Sequence, residues 1–98
     1  MTNAQEELLE HIKEVGVEVE FIKIMYEKNY DEEIKIEGQL EDVLPLLNFE
    51  YDSGYGGQEL YGYIWYKDGT WSDRGEYDGS EWWQHQSRPD RNYKLSRY

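Results

Sequence analysis

The chain has 98 residues and a net charge of −12, and it contains no cysteine. This length suits one domain, and the absence of cysteine excludes disulfides and thiolate metal sites. Because so acidic a chain repels nucleic acid and anionic lipid and attracts basic protein surfaces, we expect neither direct nucleic-acid binding nor membrane binding.

The charge is unevenly distributed along the chain. Residues 1–85 contain 21 acidic and 6 basic residues, a charge of −15, whereas residues 86–98 carry a charge of +3. We therefore expect one folded domain over residues 1–87 and a basic tail over residues 88–98. No apolar segment is long enough to span a membrane, and no signal peptide is recognisable. The absence of cysteine fits a reducing, intracellular setting.

The first predicted element is a helix whose two ends are marked in the stretch TNAQEELLEHIKEVG. Thr2 and Asn3 are capping residues, and Gly16 is a typical residue to end a helix. Apolar residues recur at helical spacing on one face, and these are Leu8, Leu9, Ile12 and Val15. An acidic row, formed by Glu6, Glu10 and Glu14, lies on the opposite face.

Two antiparallel strands are predicted to follow the helix. In VEVEFIKIMYE the alternation of apolar and acidic residues shifts by one position, which predicts a β-bulge near Phe21 and Ile22. EEIKIEGQ predicts the second strand, across the turn KNYD. LEDVLPLLN then predicts a short helical turn at one end of the core, limited by Pro45. FEY predicts a short strand, and DSGYGGQ a glycine-rich connection.

The C-terminal part contains two Asp-Gly pairs, Asp68-Gly69 and Asp78-Gly79, in the run WYKDGTWSDRGEYDGSEWW. Asp-Gly is a strong signal for a two-residue hairpin turn. We therefore predict three antiparallel strands, at about 59–67, 70–77 and 80–86. The chain as a whole predicts an α+β fold, with the N-terminal helix packed on a mainly antiparallel, twisted sheet.

Counting through two such turns assigns the side chains of this meander to two faces. The predicted core face carries Leu60, Ile64, Tyr66, Trp71, Tyr77 and Trp82, with Asp73 as its one charge. Gly62 would lie beside Gly75 on that face, with Trp82 covering both. The opposite face carries Tyr61, Tyr63, Trp65, Ser72, Arg74, Glu76, Glu81, Trp83 and His85. Three interpretations of this face stay open: the N-terminal helix covers part of it, a partner binds there, with Arg74 between Tyr63 and Trp83, or its aromatics are cross-strand pairs that only stabilise the sheet.

The run DGTWSDRGEYDGSEWW resembles a stretch in small accessory proteins of tailed bacteriophages, over roughly residues 60–86. The resemblance implies a phage protein that acts in the cytoplasm of the host bacterium. It also implies a host protein as the target, such as a CRISPR–Cas or other defence component. It implies no activity and no site residues.

We predict no enzymatic activity and no cofactor or metal. The histidines are His11 and His85, and nothing in the sequence orients Ser72, His85 and Glu81 as a catalytic triad. The acidic groups at residues 31–33 and 41–42 lack the spacing of a calcium loop. The segment GYGG lacks the strand and helix that flank a phosphate loop.

The predicted function is inhibition of a basic host protein by direct binding. Interface hot spots are rich in Tyr, Trp and Arg, and the candidate contacts are Tyr61, Tyr63, Trp65, Arg74, Glu76, Glu81, Trp83, His85 and Tyr55. A second candidate surface would mimic nucleic acid, with carboxylates spaced about 6 Å apart, and it consists of Glu6, Glu10, Glu14, Glu18 and Glu20. Two alternatives stay open: a module that stacks a nucleotide on its aromatic face, and a structural protein that forms homodimers through this face.

Overall fold

The computed structural model describes residues 2–29, 32–51 and 57–88. The elements are β1 (Thr2–Asn3), α1 (Ala4–Val15), β2 (Val19–Asn29), β3 (Glu32–Gly38), α2 (Leu40–Val43), a 3-10 turn (Leu44–Leu47), β4 (Glu50–Tyr51), β5 (Leu60–Tyr66), β6 (Trp71–Tyr77) and β7 (Ser80–Gln86). Five strands form an antiparallel sheet in the order β3-β2-β5-β6-β7, and β1 pairs with β4. The predicted α+β fold is confirmed. The tip of the first hairpin, Tyr55 and most of the basic tail lie outside the described residues.

Helix α1 begins and ends where the sequence predicts. The Asn3 side chain accepts a hydrogen bond from the Glu6 amide at 3.0 Å, and Gly16 ends the helix in the left-handed conformation at φ 72°. Leu8 is fully buried against the sheet, whereas Leu9 is 43% exposed and lies outside the packing face. The helix therefore packs on the core through Ala4 and Leu8, and Ile12 and Val15 lie at the edge of this contact.

The core lies between α1 and one face of the five-stranded sheet. The bulge predicted in β2 lies between Val19 and Phe21, one residue earlier than expected, and it directs Ile22 and Ile24 into the core. Val43 and Leu47, from α2 and the 3-10 turn, close one end of the core as predicted. The buried residues are Ala4, Leu8, Ile22, Ile24, Ile36, Val43, Leu47, Tyr51, Leu60, Ile64, Tyr66 and Trp83.

The second hairpin of the meander has the predicted register, and the first does not. Tyr77 pairs with Ser80 across a two-residue turn in which Asp78 and Gly79 both have positive φ. In the first hairpin the Tyr66 amide donates to the Thr70 carbonyl at 3.0 Å, so that three residues, 67–69, form the loop. Such a loop usually combines a type I turn with a left-handed third residue, and Gly69 has φ 89°.

This one extra loop residue reverses the faces of β6 and β7 relative to β5. Leu60, Ile64 and Tyr66 are buried, as predicted. The prediction that Trp71, Asp73, Tyr77 and Trp82 lie on the core face is wrong, because these residues lie on the side of the sheet that faces away from α1. Ser72, Arg74, Glu81 and Trp83, predicted on the opposite face, instead lie under α1. Glu76 and His85 share their strand side but are exposed.

The predicted pairing of two glycines is also wrong, although Trp82 does cover one of them. Tyr63 lies opposite Asp73 on β6, so this register places Gly62 level with Arg74 and not with Gly75; on its other side Gly62 lies opposite Ile24 of β2. A Cβ atom added to Gly75 would lie 2.6 Å from the indole nitrogen of Trp82. The indole therefore shields the bare backbone of Gly75, as expected for aromatic rescue, but it does so on the exposed side of the sheet.

Candidate binding face

One side of the sheet, called the open face here, has no described element packed on it. We define its tryptophan patch as Phe21, Tyr63, Trp65, Trp71 and Trp82. Four of these aromatic side chains are between 37% and 49% exposed, and Trp71 is half-buried. Monomeric proteins rarely expose large contiguous apolar surfaces without a function, so this patch is the first candidate for a binding site.

The sheet register places the patch aromatics side by side. Phe21 on β2 lies opposite Trp65 on β5, which lies opposite Trp71 on β6. The rings of Phe21 and Trp65 are 6.0 Å apart between centroids, and those of Tyr63 and Trp65 are stacked at 5.6 Å. Because three neighbouring strands hold these rings, the patch is positioned before any partner arrives.

Asp73 supplies a fixed negative charge within the patch. It lies opposite Tyr63 on β5 and opposite Gln84 on β7, and it is two residues from Trp71 on its own strand. Gln84 donates to its carboxylate at 2.8 Å, and Gln86 donates to the same oxygen at 3.4 Å. A carboxylate flanked by aromatic rings is a favourable environment for a guanidinium or ammonium group.

Arg74 lies on the other side of the sheet, at the centre of a buried charged cluster. Its side chain is 2% exposed. It donates to Glu7 at 3.1 Å, to Glu81 at 2.8 Å and to the Tyr51 hydroxyl at 2.7 Å. Its guanidinium also lies 4.9 Å from the ring centroid of Trp83, so the predicted cation–π contact with Trp83 is present, but inside the core.

The other members of this cluster are also satisfied. The buried carboxylate of Glu81 accepts hydrogen bonds from the amides of Glu59 and Leu60, at 2.9 and 3.0 Å. The Tyr51 hydroxyl donates to Glu7, and burial is the main cause that raises the pKa of this phenol above its usual value. The cluster joins α1, β4, β6 and β7, so Arg74 and Glu81 connect the helix to the sheet.

Ser72 and the two histidines do not form the triad that the sequence could suggest. Ser72 is fully buried, and its hydroxyl lies 2.7 Å from His11 Nε2 and 2.6 Å from the Tyr66 hydroxyl. His85 contacts the Thr70 hydroxyl at 2.8 Å instead. Since Glu81 bonds to Arg74, the set of Ser72, His85 and Glu81 is not assembled. No substrate can reach the Ser72 hydroxyl in this arrangement.

The position of His11 predicts a pH dependence of stability. Burial, partly opposed by Glu14 and assisted by His85 and Arg74, lowers the pKa of His11 below its ordinary value of 6.5. When the pKa of a histidine is lower in the folded state than in the unfolded state, its contribution to the free energy of unfolding is fully present above the unfolded-state pKa. This contribution is lost as the pH falls through the folded-state pKa. We expect His11→Gln to reduce the difference in unfolding free energy between about pH 7.5 and pH 5, measured by urea denaturation. An unchanged difference would show that His11 does not titrate with folding.

The candidate contacts from the sequence thus separate into two groups. Tyr61, Tyr63 and Trp65 lie together on the open face. Arg74, Glu81 and Trp83 are buried, Glu76 and His85 are exposed at strand positions of the α1 side, and Tyr55 lies outside the described residues. The acidic candidates Glu6, Glu10, Glu14, Glu18 and Glu20 are all exposed, and Glu18 bonds to Lys67 at 2.9 Å.

The sequence reading missed Phe21, Trp71, Asp73 and Trp82 as members of the exposed surface. A local signal was present, because Thr70 follows Asp68-Gly69. The Asp68 carboxylate accepts from the Thr70 amide at 2.9 Å and from the Thr70 hydroxyl at 2.6 Å. Hydrogen bonds of this kind, from an Asp side chain to the residue two positions later, are typical of turns. They favour a connection that reaches Thr70, and therefore a loop longer than two residues.

No known protein family matches the chain, and no curated protein and no solved structure is significantly similar to it. Among residues 2–29, 32–51 and 57–88, no helix is both long and apolar enough to cross a membrane. The same residues contain no group of three or more His, Asp or Glu side chains placed to hold a metal ion.

Proposed function

We propose that this protein binds a second protein through the tryptophan patch and thereby blocks it. The observation that carries this proposal is the group of aromatic side chains around the fixed carboxylate of Asp73 on the open face. Phe21, Trp65 and Trp71 lie side by side on three strands, Tyr63 lies opposite Asp73, and Trp82 lies on β7, two residues from Gln84. Trp and Tyr are the residue types most enriched in interface hot spots. A broad, nearly flat sheet face suits a protein surface better than it suits a small substrate.

The charge of the molecule favours a basic partner. The net charge is −12, which accelerates encounter with a positive surface. At the patch itself, Asp73 would pair with an arginine or lysine of the partner, while Trp71 and Tyr63 beside it offer aromatic faces to the same cation. Glu20 and Lys23 line a shallow depression beside Phe21 and Trp65 at the rim, so the rim carries one charge of each sign there.

The proposed partner is a protein of a bacterial host, and the effect of binding is inhibition. This part rests on the resemblance of the C-terminal stretch to small tailed-bacteriophage proteins, whose usual role is to bind host components. Host defence proteins that act on nucleic acid have basic surfaces, so they combine the chemistry that the patch requires with the target class that the resemblance implies.

A capture experiment with matched variants tests the proposal. Wild-type protein captures its partner from bacterial lysate, and the partner is then identified, purified and titrated against each variant. We expect Trp65→Ala to weaken binding by about 30-fold, the size of one hot spot. Asp73→Asn should weaken binding and reduce its dependence on salt. Tyr77→Ala is the control, because Tyr77 is 76% exposed and is not part of the patch.

Two results would contradict the proposal. One is recovery only of proteins that bind wild type and Trp65→Ala equally well. The other is a dimer in sedimentation experiments that Trp65→Asp separates into monomers, because the occupant of the patch would then be a second copy of this chain. Circular dichroism of each variant distinguishes a lost contact from a lost fold.

Nucleic-acid mimicry by the acidic surface is the second candidate, and the exposure of its carboxylates favours it. Glu6, Glu10 and Glu14 lie along the exposed side of α1 and form no ion pair with any described residue. Their spacing of about 6 Å comes from the helix rise. If mimicry operates, a variant with all three changed to Gln should lose binding while Trp65→Ala retains it, and nucleic acid should compete with this protein for the partner.

A further inference from the structure

The open face contains a second feature beside the tryptophan patch, a groove between Tyr61 and Tyr63. Its volume is about 460 Å³, within the range of ligand sites. The backbone of Gly62 lies at its base, and Met25 on β2 contributes an apolar wall. Lys23, Lys35 and Glu37 line its outer side, on β2 and β3.

The two tyrosines are held in positions that keep the groove open. The Tyr61 hydroxyl donates to the Gln58 carbonyl at 3.1 Å, whereas the Tyr63 ring stacks on Trp65. The two side chains thus have separate partners on opposite sides of the groove. Residues two apart on a strand are about 6.7 Å apart, roughly twice the 3.5 Å contact distance between carbon atoms. This spacing along β5 leaves room for a planar ring between the side chains of Tyr61 and Tyr63.

The charge around the groove differs from that of the rest of the molecule. Residues 1–85 contain only six basic residues, and two of these, Lys23 and Lys35, line this groove. The amino group of Lys23 lies 3.9 Å from Glu37, in a pair whose two side chains are 63% and 58% exposed. Such a long, solvated pair contributes little, so Lys23 is free to turn to an anion. Lys35 is exposed and forms no ion pair with a described residue.

We propose that this groove binds a nucleoside phosphate, with the base between Tyr61 and Tyr63 and the phosphate at Lys23 and Lys35. The base supplies the planar, apolar body that the two rings and Met25 would contact, because every base has a face for stacking. The phosphate supplies the charge that the two lysines neutralise. The groove shares Tyr63 with the tryptophan patch, but Tyr61, Met25 and Lys35 belong to the groove alone, so variants at these residues test it separately from the proposed protein interface.

Calorimetric titration of the whole protein tests the site, with AMP and GMP as probes. Titrations with adenosine alone and with inorganic phosphate alone separate the contribution of base stacking from that of the phosphate charge. We expect saturable binding of a nucleotide with Kd below about 1 mM. Adenosine should bind about tenfold more weakly, the size of one charge-assisted hydrogen bond. At ten times Kd, the nucleotide should also raise the Tm by about 5 °C.

Two pairs of variants assign the contacts. Tyr61→Ala should weaken nucleotide binding by at least about tenfold, whereas Tyr61→Phe, which keeps the ring but loses the hydrogen bond to Gln58, should weaken it less. Lys35→Ala should weaken nucleotide binding but not adenosine binding, and Lys13→Ala, on the exposed side of α1, should change neither. If Tyr61→Ala fails to fold, the Lys35 and Lys13 pair remains a complete test.

Three results would overturn the proposal. They are the absence of saturable nucleotide binding, equal affinity for adenosine and AMP, and binding of AMP that inorganic phosphate alone reproduces. None of these results bears on the tryptophan patch, whose test uses Trp65 and Asp73. A failure at this groove is therefore distinguishable from a failure of the proposed protein interface.

Discussion

Replacing Arg74 with methionine is expected to lower the free energy of unfolding by about 3–5 kcal/mol, as for other buried ion pairs that lose one partner. The side chain is 2% exposed, and its nitrogens donate to Glu7, Glu81 and Tyr51. Without the guanidinium, the buried carboxylate of Glu81 would have no counter-charge and would lie close to Glu7. Since a domain of this size is stable by roughly 5–15 kcal/mol, the loss is a large fraction of the total.

Urea denaturation followed by tryptophan fluorescence measures this effect, and two variants serve as controls. Lys67→Met removes an ion pair with Glu18 that is equally short, 2.9 Å, but whose side chains are 56% and 72% exposed. It should cost no more than about 1 kcal/mol. Adding Glu7→Gln and Glu81→Gln to Arg74→Met should recover part of the loss, because both unpaired charges are then removed. A cost below about 1 kcal/mol for Arg74→Met itself would show that the cluster is solvated.

The buried cluster also explains why the open face is free of the helix. Arg74 on β6, which also donates to Glu81 on β7, holds Glu7 of α1 by a charged hydrogen bond on one side of the sheet only. The helix is thereby joined to the core side of the sheet, where His11 stacks on Trp83. In this protein the fixed packing leaves Trp65, Trp71 and Trp82 without a covering element in the described part of the chain.

Local sequence signals predicted the helix and strands of the fold. Whether the two faces of the sheet could be predicted depended on one turn, the turn between β5 and β6. Asn3 and Gly16 delimit α1, and Asp78-Gly79 sets the register of the second hairpin. Asp68-Gly69 is the same dipeptide, but it belongs to a three-residue loop because the Asp68 carboxylate binds Thr70. Since side chains alternate along a strand, the difference of one residue reversed the predicted sheet face of the residues in β6 and β7.

Local sequence patterns could not predict the buried charged cluster. Glu7 and Arg74 are 67 residues apart, and Tyr51 and Arg74 are 23 apart. Arg and Glu are among the residues that are almost never fully buried unless paired, and pairing depends on the assembled fold. Alternation therefore assigned Arg74 and Glu81 to the face opposite the predicted core, whereas the tertiary structure buries them together under α1.

Gly62 is the position where the smallest substitution is expected to have a large effect. A Cβ atom at Gly62 would clash with the backbone carbonyl of Lys23 and would lie 3.0 Å from the Cα of Ile24. Backbone atoms of the neighbouring central strand cannot move aside as a flexible side chain would. Gly62 also has φ 155°, which a side chain disfavours. We expect Gly62→Ala to cost about 3 kcal/mol or more, since strain and overpacking each contribute roughly 1–3 kcal/mol.

Gly69→Ala is the matched control for this substitution. Gly69 also has a positive φ, 89°, but nothing lies within 4 Å of an added Cβ atom. It should therefore cost only about 1 kcal/mol, the backbone term alone. Denaturation of both variants separates the two contributions, and equal costs would mean that β2 and β5 can move apart to accept a methyl group. That movement would displace Lys23 and Met25 from Tyr61 and Tyr63. The difference in unfolding free energy between the two variants therefore also measures how rigidly the sheet holds the groove between Tyr61 and Tyr63.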